Sequence, residues 1–284
     1  LAEKNKKYKM NGYFKPETQI RYEIYRHESE NIERFELDYV VYSHSSFKDI
    51  LEIQTDHLSG KGRLTLFIDE NKEDLQQIYD RYDKVVFYSP SLPYGERLRQ
   101  CVSQIDYDYF ILMHDIDIAV YIDDDRMIEF VHFLRKNDFD RIDFQLAYDY
   151  DESHKTNDDG LYLIRSSNTD TQNKGYCYNV NPSIWKRETL LSILEEAISR
   201  GFSEYRTIEA YEIQEFACKF KIFKLFSRKK YRCGYFTCLQ PFRYLHITHS
   251  RLLFSPSHLP PESSVDIVED YDRILKKYDL SRWI

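Results

Sequence analysis

The chain is poor in the residues that break or staple structure: 8 Gly, 8 Pro and 5 Cys in 284 residues. So little Gly and Pro excludes a collagen-like repeat and a low-complexity linker. The cysteines, at 101, 177, 218, 233 and 238, are odd in number and irregular in spacing, which predicts reduced thiols rather than a disulfide framework. Cys233 and Cys238 have no second Cys/His pair at the spacing of a zinc ribbon. No apolar run nears the roughly 18 residues of a membrane helix. The best candidate, Tyr109 to Met113, is far too short. The basic N-terminus, Leu1-Ala2-Glu3-Lys4-Asn5-Lys6-Lys7, has no apolar segment behind it, so no signal peptide is expected. Positive charge is also short: 40 Lys and Arg against 48 Asp and Glu leave a net charge of −8, which argues against nucleic acid as the main partner.

Aromatic residues, by contrast, are abundant: 25 Tyr, 18 Phe and 2 Trp. They can fill a large core, and the length fits one large α/β domain or two small ones. Four apolar stretches read as strands: Tyr39–Tyr42, Arg63–Ile68, Lys84–Tyr88 and Tyr107–Met113. Helical patterns separate them at 47–57, 71–82 and 95–105, the first carrying Phe47, Ile50, Leu51, Gln54 and Leu58 at helical spacing. Strand–helix alternation predicts a parallel sheet covered by helices, with ligands at the rim formed by the strand C-termini. Beyond it, the patterns predict helices over 124–137, 186–200, 207–219 and 264–277, and strands over 141–148, 161–164, 176–180 and 242–247. The polar stretch 149–174 is long enough for a functional loop. A short helix is expected within 21–35.

Three of the four strands end in polar groups: Ser43-His44, Asp69-Glu70 and His114-Asp115-Ile116-Asp117. Spacing alone does not single out the last of these. With 26 Asp, chance supplies roughly two to three D-x-D triplets, and the chain holds six, starting at 106, 115, 123, 138, 149 and 270. Position does single it out, because Asp115 closes the fourth strand of the alternating unit. Two carboxylates there suit a hard divalent cation, Mn²⁺ or Mg²⁺, which shares its shell readily with a diphosphate. The plain alternative is two solvated acids at a strand end.

From about Asp38 to Arg251 the chain resembles glycosyltransferases of the GT-A fold, of the family-2-like kind that use nucleotide sugars. The resemblance rests on the order of features: the strand entering Ser43-His44-Ser45, Asp69 after the second strand, Gly95-Glu96-Arg97-Leu98-Arg99 ahead of the fourth, then the D-x-D. Trp185-Lys186-Arg187-Glu188-Thr189-Leu190, Gly201-Phe202-Ser203-Glu204 and the late His246-Ile247-Thr248-His249-Ser250-Arg251 follow. It implies an α/β, GT-A-like single domain with a mostly parallel central sheet and helices on both faces. That domain would span 36–255, with an N-terminal extension over 1–35 and a helical tail over 256–284 packing on it.

The resemblance also implies roles. Ser43 and His44 would line the pocket of a UDP- or GDP-sugar donor, and Asp69 would meet its base or ribose. Arg97 would lie near the diphosphate or stabilise Asp115. Asp115 would face the ribose or bind metal through water, and Asp117 would ligate the metal directly. His249 is the first choice of third ligand and His246 the second; three apart on an extended segment, they point to opposite faces. An inverting transfer needs a base for the acceptor hydroxyl. Glu209 is the first candidate and Glu212, on the same helical face, the second. Ala210 stands where the family has a second acid, a departure that leaves a retaining mechanism open. Trp185 and Tyr178 are candidates to stack on sugar faces, and the plain alternative for each is ordinary core or surface packing.

The expected activity is metal-dependent transfer of a sugar to a glycan, lipid-linked or protein acceptor. The alternatives are a nucleotidyltransferase and an inactive nucleotide-sugar-binding or scaffold domain. Ser43-His44-Ser45-Ser46 lacks the glycine and lysine of a nucleotidyltransferase phosphate loop. The expected location is cytoplasmic. Peripheral contact with an anionic membrane is kept open by Lys219, Lys221, Lys224 and Arg228-Lys229-Lys230, which are read first as a solvated helix end.

Overall fold

A computed structural model describes residues 21–24, 37–70, 72–144, 162–166, 181–199, 201, 233–236, 241–248, 251–252 and 276–278. In chain order the elements are β1 (Arg21–Ile24), β2 (Asp38–Tyr42), α1 (Lys48–Leu58), β3 (Arg63–Ile68), α2 (Gln76–Tyr79), β4 (Lys84–Phe87), α3 (Tyr94–Val102), β5 (Tyr109–His114) and β6 (Asp117–Ile122). Then come α4 (Asp124–Asn137), β7 (Arg141–Asp143), β8 (Tyr162–Ser166), β9 (Ser183–Lys186), α5 (Arg187–Ser199), β10 (Cys233–Phe236), β11 (Phe242–Thr248) and β12 (Arg251–Leu252).

Nine strands form one sheet in the order β1-β8-β10-β7-β9-β5-β2-β3-β4. Seven run in one direction, and β8 and β9 run against them. The strands β4, β3, β2 and β5 are consecutive parallel neighbours. Every residue of β2 and β5 is buried. This explains why both read as unbroken apolar runs: a parallel strand is covered on both faces.

Alternate residues of these strands feed two cores. Tyr39 and Val41, with Tyr109, Ile111 and Met113, meet Leu51 and Leu58 of α1 and Met127, Phe130 and Leu134 of α4. Val40 and Tyr42, with Phe110 and Leu112, meet Leu98 and Val102 of α3 and Leu190 and Leu194 of α5. The expected α/β class, a mostly parallel sheet with helices on both faces, is the one observed.

Local chemistry fixes the element ends. Asp123 caps α4 by accepting from the Arg126 amide, acids at 124 and 125 sit at its positive end, and Arg135 and Lys136 sit at its negative end. After α1, Gly60 takes φ +79°, and a Cβ on Gly62 would stand 2.4 Å from the Leu37 carbonyl oxygen. Only glycine fits that approach without a shift.

Two expectations change. Residues 21–24 are a strand, not part of a helix: Arg21 to Ile24 pair antiparallel with Arg165 to Tyr162 and join the central sheet. Pairing with a distant strand overrides a weak local helical pattern. The helix expected over 71–82 shrinks to a 3₁₀ turn at 73–75 and the one-turn α2, because i→i+3 bonds from Arg81 to Ile78 and from Tyr82 to Tyr79 end it. Immediately after Asp115-Ile116, the chain enters β6, which belongs to a second, antiparallel sheet, β12-β11-β6. Of the expected segments, 145–148, 149–174 apart from 162–166, 176–180, 207–219 and 264–277 apart from 276–277 lie outside the described residues.

Candidate functional site

The rim at the C-termini of β2, β3 and β5 gathers Ser43, His44, Ser45, Asp69, Asp115 and Asp117. β2 ends at Tyr42, and the loop that follows turns at once into a 3₁₀ turn and α1. The Ser43 hydroxyl donates to Asp115 Oδ2 at 2.9 Å, and the His44 amide donates to the same oxygen at 3.2 Å. The Ser45 amide donates to Asp69 Oδ1 at 2.7 Å, and its hydroxyl reaches Asp69 Oδ2 at 3.2 Å. The Ser46 amide donates to His44 Nδ1, so the ring hydrogen sits on Nε2, 3.0 Å from Asp69 Oδ2. The Phe47 amide closes the loop onto the His44 carbonyl. Every backbone N–H from 43 to 47 thus has an internal acceptor, Ser43 using the Phe67 carbonyl.

Both acids of the D-x-D are buried. Burial pushes the Asp115 carboxyl up to about 6; the Ser43 and His44 donors pull it down, and the nearby Asp117 charge pushes it up again. Asp117 opens β6, and its carboxylate folds back to the His114 amide at 3.4 Å. The next strand of that sheet, β11, runs antiparallel with His246 at the register position of Asp117.

A metal would find an all-oxygen donor pair here. Two buried carboxylates of like charge, one with a raised pKa, are eased by a cation, and oxygen donors match Mg²⁺ and Mn²⁺. Among the described residues, no three His, Cys, Asp or Glu side chains converge on one point. An acidic pair suits a cation that takes much of its shell from a diphosphate and water.

Behind the loop stands an aromatic layer. The Tyr88 hydroxyl donates to the Ser43 carbonyl at 2.7 Å, and Tyr88 stacks on Tyr42 at 5.1 Å. The Tyr94 hydroxyl meets His114 Nε2 at 3.0 Å. Arg97 lies over the Tyr88 ring at 5.2 Å, so it reaches Asp115 through Tyr88 and Ser43 rather than directly. On the outer side, Lys72 pairs with Glu70 at 2.7 Å and donates to the Ser45 hydroxyl at 2.9 Å. Lys72 and Ser45 hold the Glu70 carboxyl below its usual range.

Trp185 corrects the sequence reading. It is fully buried in β9, beside Phe110, with the Arg141 guanidinium 4.6 Å from its ring centre. No face is left for a sugar, and the indole is a core side chain. Glu209, Glu212, Tyr178 and His249 lie outside the described residues.

The sequence reading missed Gln54 as a site residue. This side chain is fully buried in α1, yet it faces the backbone of β6. Its Nε2 donates to the Asp117 carbonyl at 2.7 Å, and its Oε1 accepts from the Ala119 amide at 2.8 Å. A carboxamide on an otherwise apolar helical face was the available signal.

No protein-family model and no curated protein sequence matches the chain. Among solved structures, similarity is found to 4-diphosphocytidyl-2C-methyl-D-erythritol synthase of Anaerococcus prevotii (14 % identity, TM-score 0.43, 84 % of this chain and 96 % of that one). A cytidylyltransferase of Leptospira borgpetersenii matches at 10 % identity and TM-score 0.43, over 87 % of this chain and 97 % of that one. Residues 1–349 of S. aureus TarS match at 8 % and 0.46, over 85 % of this chain and 64 % of that one. At these identities and scores, the activities in the names do not transfer to this chain.

Proposed function

We propose that this protein is a metal-dependent glycosyltransferase that moves a sugar from a nucleotide-sugar donor to a hydroxyl acceptor. The observation that carries the reading is the pair Asp115–Asp117 at the end of β5, buried and braced by the loop that closes β2. A divalent cation, held by Asp117 and Asp115 with one of the late histidines, His249 or His246, as a further ligand, would offset the charge that builds on a departing nucleoside diphosphate. The donor C1–O bond breaks, the acceptor oxygen bonds to C1, and the acceptor proton passes to a base. Glu209, then Glu212, remain the candidates for that base. Ser43 and the His44 amide keep Asp115 aimed. His44 and Asp69 form the wall against which the nucleoside would rest.

A nucleotidyltransferase is the second reading, in keeping with the names of two of the similar solved structures. Such an enzyme must cradle a triphosphate, and backbone N–H groups after the first strand are suited to that task. Here those groups already have internal acceptors throughout 43–47. This supports sugar transfer over nucleotidyl transfer.

One experiment separates the readings. UDP- and GDP-sugars are incubated with Mn²⁺ or Mg²⁺, and nucleoside triphosphates with sugar 1-phosphates in parallel. Each set is repeated with EDTA and with Asp117→Ala. Metal-dependent release of nucleoside diphosphate, lost in the variant, is expected. Release of pyrophosphate instead would establish the second reading. Calorimetric binding of nucleotide sugar without turnover would leave a binding domain, and absence of binding as well would overturn the proposal.

A further inference from the structure

The three polar groups of the Gln54 side chain are all in use. One Nε2 hydrogen goes to the Asp117 carbonyl at 2.7 Å and the other to Met113 Sδ at 2.8 Å, while Oε1 takes the Ala119 amide at 2.8 Å. Asp117 and Ala119 are two apart on β6. A neighbouring residue in a parallel ladder bonds its partner strand in this way, through the carbonyl of one residue and the amide of the residue two further on. The carboxamide therefore acts as a one-residue strand along the edge of β6 opposite β11.

The same helix governs the other acid. α1 follows directly on the loop whose Ser43 hydroxyl and His44 amide hold Asp115. One rigid element thus grips Asp115 at its entrance and the backbone of Asp117 along its length. Asp115 sits in the turn at 115–116 that leaves β5, and Asp117 opens β6 in the second sheet. Without Gln54, the carbonyl of Asp117 and the amide of Ala119 would be left buried without these partners, and β6 would shift to satisfy them.

We infer that Gln54 is a positioning residue that fixes Asp117 relative to Asp115 and so sets the affinity of the acidic pair for a divalent cation. The inference rests on the metal reading above. Loss of outer-shell partners of this kind weakens metal affinity roughly 10–100-fold.

The test measures Mn²⁺ binding to the full chain by electron paramagnetic resonance, with and without UDP, in four proteins. Gln54→Leu removes all three bonds at similar volume. Gln54→Met removes the same bonds in an unbranched, uncharged side chain of similar length. Thr55→Val is the control. Thr55 is buried in the same helix but bonds to Leu51 and Tyr82, away from β6. Thermal melts report folding throughout.

Gln54→Leu is expected to weaken Mn²⁺ roughly 10–100-fold, with Thr55→Val unchanged. Gln54→Met is expected to weaken Mn²⁺ by a similar factor. Affinity of Gln54→Leu within twofold of wild type would overturn the inference. So would an equal loss in Thr55→Val. If Gln54→Leu does not fold, the affinity of Gln54→Met decides on the same twofold limit. Failure of the wild type itself to bind Mn²⁺ would instead strike the metal reading.

Discussion

His246 stands directly across from Asp117 in the β6–β11 ladder. This backbone register makes His246, the second choice of the two late histidines, worth testing beside His249, which lies outside the described residues. His246→Ala is expected to lower metal-dependent turnover at least tenfold and to raise the Mn²⁺ concentration needed for half activity. His249→Ala is expected to change either by less than threefold. A metal titration of both variants checks this, and the reverse ranking would return the role to His249.

Asp115 should trade stability for function. Its folded pKa, about 6, lies above the unfolded 3.8 because of burial, so holding it ionised costs stability once the pH is above that value. Asn keeps the oxygen that accepts from Ser43 and His44 and removes the charge. Asp115→Asn is expected to lose about 100-fold or more in metal-dependent turnover. The melting temperature of the metal-free protein at pH 7.5 should hold or rise. A clear fall would mean that the ionised form is favoured by its two donors more than it is penalised by burial.

At the opposite end of the sheet, Asp38 carries a purely structural version of the same effect. Burial pushes it up to about 6, against the pull of Thr65, Arg63 and Lys84. The sign follows from the raised value: the folded state binds the proton more tightly, so this group's contribution falls as pH climbs from about 4 through 6. Asp38→Asn is therefore expected to gain stability relative to wild type by up to about 3 kcal/mol between pH 4 and pH 7. Urea unfolding at both pH values measures the difference, and an equal offset at the two would refute the assignment.

Trp185 gives a prediction about where function does not reside. Trp185→Ala is expected to cost about 3–5 kcal/mol. Trp185→Phe should fold and should leave the Michaelis constants for donor and acceptor within about threefold. Denaturant titration and steady-state kinetics test the pair. A large rise in the acceptor constant for the Phe variant, with stability intact, would restore a sugar-stacking role.

Much of the central frame was legible from the chain. Strands β2, β3, β4 and β5 and helices α1, α3, α4 and α5 carry strong apolar patterns, and those patterns are dictated by burial on one face or two. Asp115 could be placed because it closes such a strand. Asp117 could not, because its strand is defined by pairing with β11, a partner remote in sequence. Gln54 was visible on the inward face of α1, but a glutamine among Leu and Ile gives no hint that it meets a strand edge. Trp185 was misread because an indole suits a sugar face and a core equally well, and only its neighbours decide.

The loop from Ser43 to Phe47 has its amides satisfied and both ring nitrogens of His44 engaged before any ligand arrives. Its ordering is complete when the chain folds. A nucleoside resting there would meet a preorganised wall and lose little further conformational freedom in the protein. Association at this rim would then be governed by encounter rather than by closure, and discrimination between nucleosides by shape rather than by induced fit.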